Sequence, residues 1–387
     1  MSRSRSLAAF CLAGTLLASG LAQAGTVAER ERSAGRAPYT AAEAVAAVPL
    51  GMPGVRFFGD DPEAFRASLA AAPASSEPWL VLSGGGDNGA YGAGVLNGWT
   101  KAGTRPAFGV VTGVSTGALI APFAFAGPAF DGALKTAYTT ITAADIFEVG
   151  NEGESLLDTW PMRKMIERFV TPEVLGAVAR GHADGRRLYV LTTHVDLQRP
   201  VVWDMGAIAS RGEAGLKLFR QVLLASASIP GAFQPVHIDA EAGGKRFQEM
   251  HADGGVTGPF YIAPEAMLLA GRGGLPTDKV HVIVNYSLKP DFQVTERTTI
   301  TVLGRSMAAA IRAATRASIA ASATFGRRTG IDIGFAHVDE RFTQTTAKAF
   351  DQRYMQALFA FGEATGRDGS AFRRDPLGAE NRTVAGR

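Results

Sequence analysis

Between Trp79 and Ile120 the sequence leaves the backbone few choices. Trp79-Leu80-Val81-Leu82 is a short apolar run that ends at Ser83, and Gly84-Gly85-Gly86-Asp87-Asn88-Gly89 follows it. Gly89 to Ala102 has helical spacing, with Tyr91, Val95, Leu96 and Trp99 on one side and small residues that suit close packing on a sheet. A second apolar run, Phe108-Gly109-Val110-Val111, leads into Gly113-Val114-Ser115-Thr116-Gly117 and then a helical stretch to Ala126. The order is strand, glycine-rich turn, helix, strand, sharp turn holding a serine, helix.

The glycine turn has two mechanical uses. Gly84-x-Gly86-x-x-Gly89 after a strand and before a helix fits a dinucleotide fingerprint, which also needs an acidic residue about 20 residues on for the ribose. Lys101 to Thr112 contains no acid, and the strand ends in the serine turn instead. The other use is an oxyanion hole at Gly84, Gly85 and Gly86. Consecutive glycines let the backbone aim N–H groups at one point with no side chain in the way. The helix that starts there adds its positive end.

Gly113-x-Ser115-x-Gly117 between strand and helix is the nucleophile-elbow pattern, in which small flanking residues permit a strained turn. A serine hydroxyl needs a base. In the order serine, acid, histidine the histidine comes late, and His337 in Phe335-Ala336-His337-Val338-Asp339 is the one late in the chain. His251 stands two residues before Asp253-Gly254-Gly255. An acid followed by two glycines presents its carboxylate in a tight turn, as an ordinary turn residue or as the base of a Ser–Asp dyad.

Continuous apolar strands alternate with helices along the rest of the chain. Arg187 to Asp196 and Lys279 to Tyr286 read as buried strands, Pro200 to Trp203 as a neighbour of the first, and Leu216 to Ala227 as a helix ended by Pro230. The pattern predicts an α/β fold with a mostly parallel central sheet covered on both faces. Tyr138 to Asp184 reads as a helical insertion or lid, with Thr171 capping a helix that begins at Pro172. Thr298 to Phe325 and Ala347 to Gly362 are further helices. Arg305, Arg312 and Arg316 share one helix face, which suits a solvated surface or contact with anionic lipid.

The beginning of the chain is set apart by composition. Arg3 and Arg5 precede the apolar run Leu7 to Leu21 and the small-x-small site Ala22-Gln23-Ala24, which reads as a signal for export. Cleavage there would remove Cys11, the one cysteine, and with it any disulfide, thiol nucleophile or cysteine-based metal site. The expected organisation is 1–24 signal, 25–76 lead-in, 77–290 hydrolase domain, and 291–387 a helical extension packed on that domain, frayed after 366. A net charge of +3 does not argue for nucleic acid.

Four blocks in order resemble the patatin-like phospholipase family: Gly84-Gly85-Gly86-x-x-Gly89, Gly113-x-Ser115-x-Gly117, Ala225-Ser226-Ala227-Ser228-Ile229-Pro230-Gly231-Ala232-Phe233 with Pro235-Val236, and Asp253-Gly254-Gly255. The resemblance spans roughly Trp79 to Tyr286. It implies a three-layer α/β/α fold, Ser115 as nucleophile and Asp253 as base, without a catalytic histidine. It also implies oxyanion N–H groups chiefly from Gly85 and Gly86, and hydrolysis of phospholipid or other acyl-ester lipid with no metal or cofactor. One departure stands out. The family commonly has a basic residue just before the last glycine of the first block, and here that residue is Asn88, which brings a hydrogen-bond donor but no charge. A catalytically weak binding or scaffold protein on the same frame is the alternative that this departure keeps open.

Overall fold

The computed structural model describes residues 36–70, 76–149, 157–271, 274–290, 292, 294–346 and 348–378. The stretch that reads in sequence as an export signal, with Arg3, Arg5 and Cys11, lies outside the described residues. The chain groups into two units: the described residues up to Leu50 together with Asp239–Gln248, and the rest. In the smaller unit α1 (Ala41–Ala46) is closed by a capping box between Thr40 and Glu43. There β1 (Val48–Pro49) pairs antiparallel with Glu241 and Ala240, and Tyr39 stacks on Phe247 at 4.3 Å.

The larger unit begins with β2 (Arg56–Phe58), α2 (Pro62–Ala70), β3 (Trp79–Leu82), α3 (Gly89–Lys101), β4 (Val110–Val114) and α4 (Thr116–Ala126). Next come α5 (Asp131–Thr139), the short pair β5 (Glu148–Val149) and β6 (Leu157–Asp158), α6 (Trp160–Phe169) and α7 (Pro172–Ala183). The chain goes on through β7 (Arg187–His194), β8 (Arg199–Asp204), α8 (Met205–Ala209), α9 (Glu213–Ser226), β9 (Val236–Ala242) and β10 (Lys245–Asp253). It closes with α10 (Glu265–Ala270), β11 (Lys279–Val284), α11 (Thr299–Thr329), β12 (Asp332–His337) and α12 (Gln352–Asp368).

Strands β7, β4, β3, β11 and β12 lie side by side and parallel. Antiparallel strands flank them at β7, where β8 and β10 both pair, and β2 pairs with β8. The parallel sheet expected from the apolar runs is therefore the middle of a mixed one. β3, β4 and β7 are buried along their whole length, which is why Trp79–Leu82 and Leu188–Leu191 run apolar without alternation. Leu80 and Leu82 face a core built with α3, α4 and α9, while Trp79 and Val81 face a second core built with α10 and α11. The result is a three-layer α/β/α arrangement.

Three details depart from the sequence reading. The small residues of α3 serve two neighbours: Gly92 faces Ile283 and Asn285 at the sheet, but Gly94 and Gly98 lie against backbone of α12 at Phe359 and Glu363. Gly362 and Gly366 of α12 return the contact at Tyr91 and Val95, so a side chain at any of the four would force the helices apart. The fraying expected after 366 is also not observed as far as 378. Ala371 is buried, and Phe335 and Arg373 exchange backbone hydrogen bonds of 2.8 and 2.9 Å. The β9–β10 hairpin went unread in the sequence, although Gly243 and Gly244, both at positive φ, separate an alternating apolar run from its partner.

Candidate active site

The register of β7 brings Ser115 and Asp253 together. On one edge β7 carries β4, up to the pair Val114↔Leu191. The next residue of β7, Thr192, pairs with Asp253, the last residue of β10. Because β4 runs parallel to β7 and β10 antiparallel, their C-terminal ends meet head to head on that edge. Residues 138 apart in sequence thus close to a hydrogen bond in which the Ser115 hydroxyl donates to Asp253 Oδ2 at 2.6 Å.

The turn at Ser115 has φ 56° and ψ −126°, far from the comfortable regions for a residue with a side chain. Its flanks show why both neighbours are glycine. A Cβ at Gly113 would collide with the backbone of Gly117 and Ala118, and one at Gly117 with the carbonyls of Leu82 and Ser83. The Ser115 N–H donates to Ser226 Oγ at 3.0 Å, and that hydroxyl donates to the Leu191 carbonyl at 2.7 Å. Ser226, in the third of the four resembling blocks, therefore holds the strained turn from behind.

Asp253 is fixed just as closely. Its Oδ1 accepts the Gly255 N–H at 2.7 Å, its N–H donates to the Ser228 carbonyl at 2.9 Å, and its carbonyl accepts the Thr193 hydroxyl at 2.9 Å. Gly254 packs on Leu191 with no room for a side chain. Burial pushes the Asp253 carboxyl up to about 6, against the opposing hydrogen bonds from Ser115 and Gly255. A carboxylate in this state can take a proton from the serine near neutral pH.

The glycine turn lies beside the serine. A Cβ at Gly84 would stand 3.2 Å from that of Ser115, and Gly85, at φ 151°, presses on Asn285. One expectation is corrected here. The Gly84 N–H is already committed to the Pro259 carbonyl at 3.1 Å, so it is not a free oxyanion donor. Among the described residues the N–H groups of Gly85 and Gly86 have no hydrogen-bond partner. Asn88 is engaged by the C-terminal helix. Its Oδ1 accepts the Tyr354 hydroxyl at 2.9 Å, while Asp87 accepts the Phe350 N–H at 2.9 Å. Together they tie the glycine turn to the C-terminal helix and its approach. Gly89 packs against Thr116 and Tyr138.

Ser115 and Gly86 open onto a cleft whose lining is almost wholly apolar. Leu119 and Phe123 of α4, Met162 and Ile166 of α6, Phe233 and Phe350 contribute to its walls. The insertion read from sequence at Tyr138 to Asp184 supplies one side of it through α6.

The histidines are engaged elsewhere. His281 sits between Trp99 and Phe372, and His337 at the end of β12 has Nδ1 3.2 Å from the Val338 carbonyl. His194 and His251 converge on Glu249, with nitrogen–oxygen distances of 3.6 and 3.3 Å. These three side chains are buried and could gather round a cation. The cation already there is the guanidinium of Arg56, which meets both Glu249 oxygens, one of them at 2.8 Å. A metal would have to compete for a carboxylate that is taken, beside a fixed positive charge. Burial lowers His251 to about 4, and Arg56 adds to that, so the imidazole is neutral at ordinary pH. This cluster escaped sequence reasoning because Arg56 and Glu249 are 193 residues apart.

A buried serine on a strained strand–helix turn is thus paired with a buried carboxylate beside an apolar cleft. Residues 80–264 match the sequence profile described as Patatin-like phospholipase, a family that acts on lipids. No curated protein matches the chain in sequence. Among solved structures it is similar to VipD from Legionella pneumophila, at 12% identity over 76% of this chain and 67% of that one, with a TM-score of 0.40.

Proposed function

We propose that this protein is a serine lipid acyl hydrolase, a carboxylic ester hydrolase of phospholipase A or lysophospholipase type. The observation that carries the proposal is the 2.6 Å hydrogen bond from the Ser115 hydroxyl to Asp253 at the end of an apolar cleft. As Ser115 Oγ attacks the ester carbonyl, Asp253 takes its proton. The oxyanion of the tetrahedral intermediate meets the N–H groups of Gly85 and Gly86. The departing alcohol takes the proton back from Asp253, and an acyl chain remains on Ser115 within the cleft. Water, deprotonated by the same carboxylate, then releases the fatty acid and restores the serine. The cleft suits a fatty acyl chain, because its walls offer dispersion contacts along their length. The enzyme works after export, in the periplasm or outside the cell, on phospholipid or another acyl-ester lipid at a membrane surface.

A fluorophosphonate probe and a lipid-ester panel test this reading. Labelling is expected on Ser115 in the folded protein, and Ser115→Ala is expected to lose both the label and the turnover. Lipid-ester hydrolysis that survives in Ser115→Ala would overturn the assignment. A folded protein that neither labels nor turns over any ester would favour the scaffold alternative.

A further inference from the structure

The apolar cleft follows α4 away from the serine, so that helix measures it. Ser115, Leu119 and Phe123 line it at four-residue spacing, which puts them on one face. From Ser115 to Phe123 the helix rises about 12 Å, and Phe123 is the last residue of α4 in the lining. On another wall α6 and its C-cap present Met162, Ile166 and Val170, all buried, at the same spacing and over about the same distance. Polar groups sit at the serine end. Thr116 adjoins Ser115, and the Tyr138 hydroxyl hydrogen-bonds that of Thr116 at 2.6 Å. A chain esterified at Ser115 therefore runs with its methyl end toward Phe123.

Two quantities limit what fits there. The cavity volume is about 160 Å³. An enclosed apolar cavity of about 150 Å³ takes benzene, a group of six carbons. An extended hydrocarbon with bonds of about 1.5 Å advances about 1.3 Å per carbon, so a run of about 12 Å takes at most about ten carbons. Side chains on a helix lean toward its N-terminus, so Phe123 leans back toward the serine and shortens that run. Its side chain is 3% exposed and belongs to the hydrophobic core, which holds the ring in place. A chain of sixteen carbons would need about 20 Å and exceeds both limits.

We propose that the cleft selects acyl groups of about six to ten carbons and that Phe123 sets the upper limit. The inference rests on the hydrolase reading and narrows its substrate class to medium-chain acyl esters. Each methylene up to the limit leaves water for the apolar walls and adds binding, whereas carbons beyond it stay outside the cleft and add none. Phe123 meets the far end of the chain and not the reacting atoms, so it determines specificity without being a catalytic residue.

The test is a series of p-nitrophenyl esters from butyrate to palmitate, hydrolysed by the whole chain. The kcat/KM is expected to rise about three- to fourfold per methylene up to a break between about six and ten carbons, and then to level or fall. Phe123→Leu and Phe123→Ala are expected to move the break to longer chains, by about one or two carbons and about three or four. The break is read from ratios within one protein, so a partly unfolded variant does not shift it, and Phe123→Leu serves where Phe123→Ala fails to fold. In Ser115→Ala, the affinity for free fatty acids of increasing length, measured by calorimetry, is expected to show the same break without hydrolysis. A kcat/KM or an affinity that climbs evenly to sixteen carbons overturns the proposal, and so does a break that stays in place when Phe123 is shortened. If no ester of any length turns over, the hydrolase reading fails, and the fatty-acid series with Phe123→Leu then decides the length limit by itself.

Discussion

Glu249 and Asp253 lie four residues apart on β10, on the same face of the strand, and both carboxyl groups are buried. Their acidities move in opposite directions. Burial raises both, but at Glu249 hydrogen bonds from Arg56, His194 and His251 overwhelm it and hold the group well below the usual carboxylate range. Asp253 has only the Ser115 hydroxyl and the Gly255 N–H against its burial, and it rises to about 6. A cation and two imidazoles make one carboxylate an inert anchor. Leaving the other without a cation, beside a cleft, makes it a base that can exchange a proton.

That contrast can be broken at several points. The largest effect is expected from Asp253→Asn, which keeps the shape but cannot take the proton. Turnover of a p-nitrophenyl ester should fall by about 10⁴-fold, measured as kcat with the active-site serine titrated. Next comes Arg56→Met, which strands the buried Glu249 charge. Urea unfolding should show a loss of about 3–5 kcal/mol, and Arg56→Met with Glu249→Gln should recover most of it. Equal stability of the single and double variants would mean that Arg56 is not what neutralises Glu249.

A smaller effect has the opposite sign. Asp253 has a higher pKa in the folded protein than in the unfolded chain, so its carboxylate form costs stability. The cost is absent below about pH 4, grows to about pH 6 and is complete above it, where it amounts to about 3 kcal/mol. Asp253→Asn should therefore be more stable than the parent at pH 8 and no more stable at pH 4, by calorimetry at both values. The parent's activity should rise through about pH 6 and then level. The smallest change is expected at the histidines. His337→Gln and His251→Gln should each keep kcat within about tenfold of the parent. A histidine variant as inactive as Asp253→Asn would move the base away from the carboxylate.

What the sequence makes legible depends on the range of the constraint. The elbow can be read directly because Gly113 and Gly117 answer a local steric demand, and the strand before it shows as an apolar run buried on both faces. The parallel core of the sheet is legible for the same reason. Its antiparallel flank is less so, because β8 and β10 take their places by pairing with β7 and not through any pattern of their own. The close contact of α3 with α12 rests on glycines more than 260 positions apart, visible as small residues but not as partners. Asn88 shows the limit well. Its chemistry, an amide where the resembling family has a cation, is plain in the sequence, while its use as a tether for Tyr354 depends on where the C-terminal helix lands.

By itself the sequence determined the two turns, the residue types that occupy them and the order of strands and helices that carries them, because φ/ψ limits and apolar periodicity act over a few residues. Tertiary structure alone decided that β4 and β10 end head to head on β7, which sets the Ser115 hydroxyl 2.6 Å from Asp253. It also decided which buried carboxylate receives Arg56 and that Gly84 spends its N–H on Pro259. Each of these follows from strand register or hydrogen-bond competition between distant segments, and none is written in the neighbourhood of any one residue.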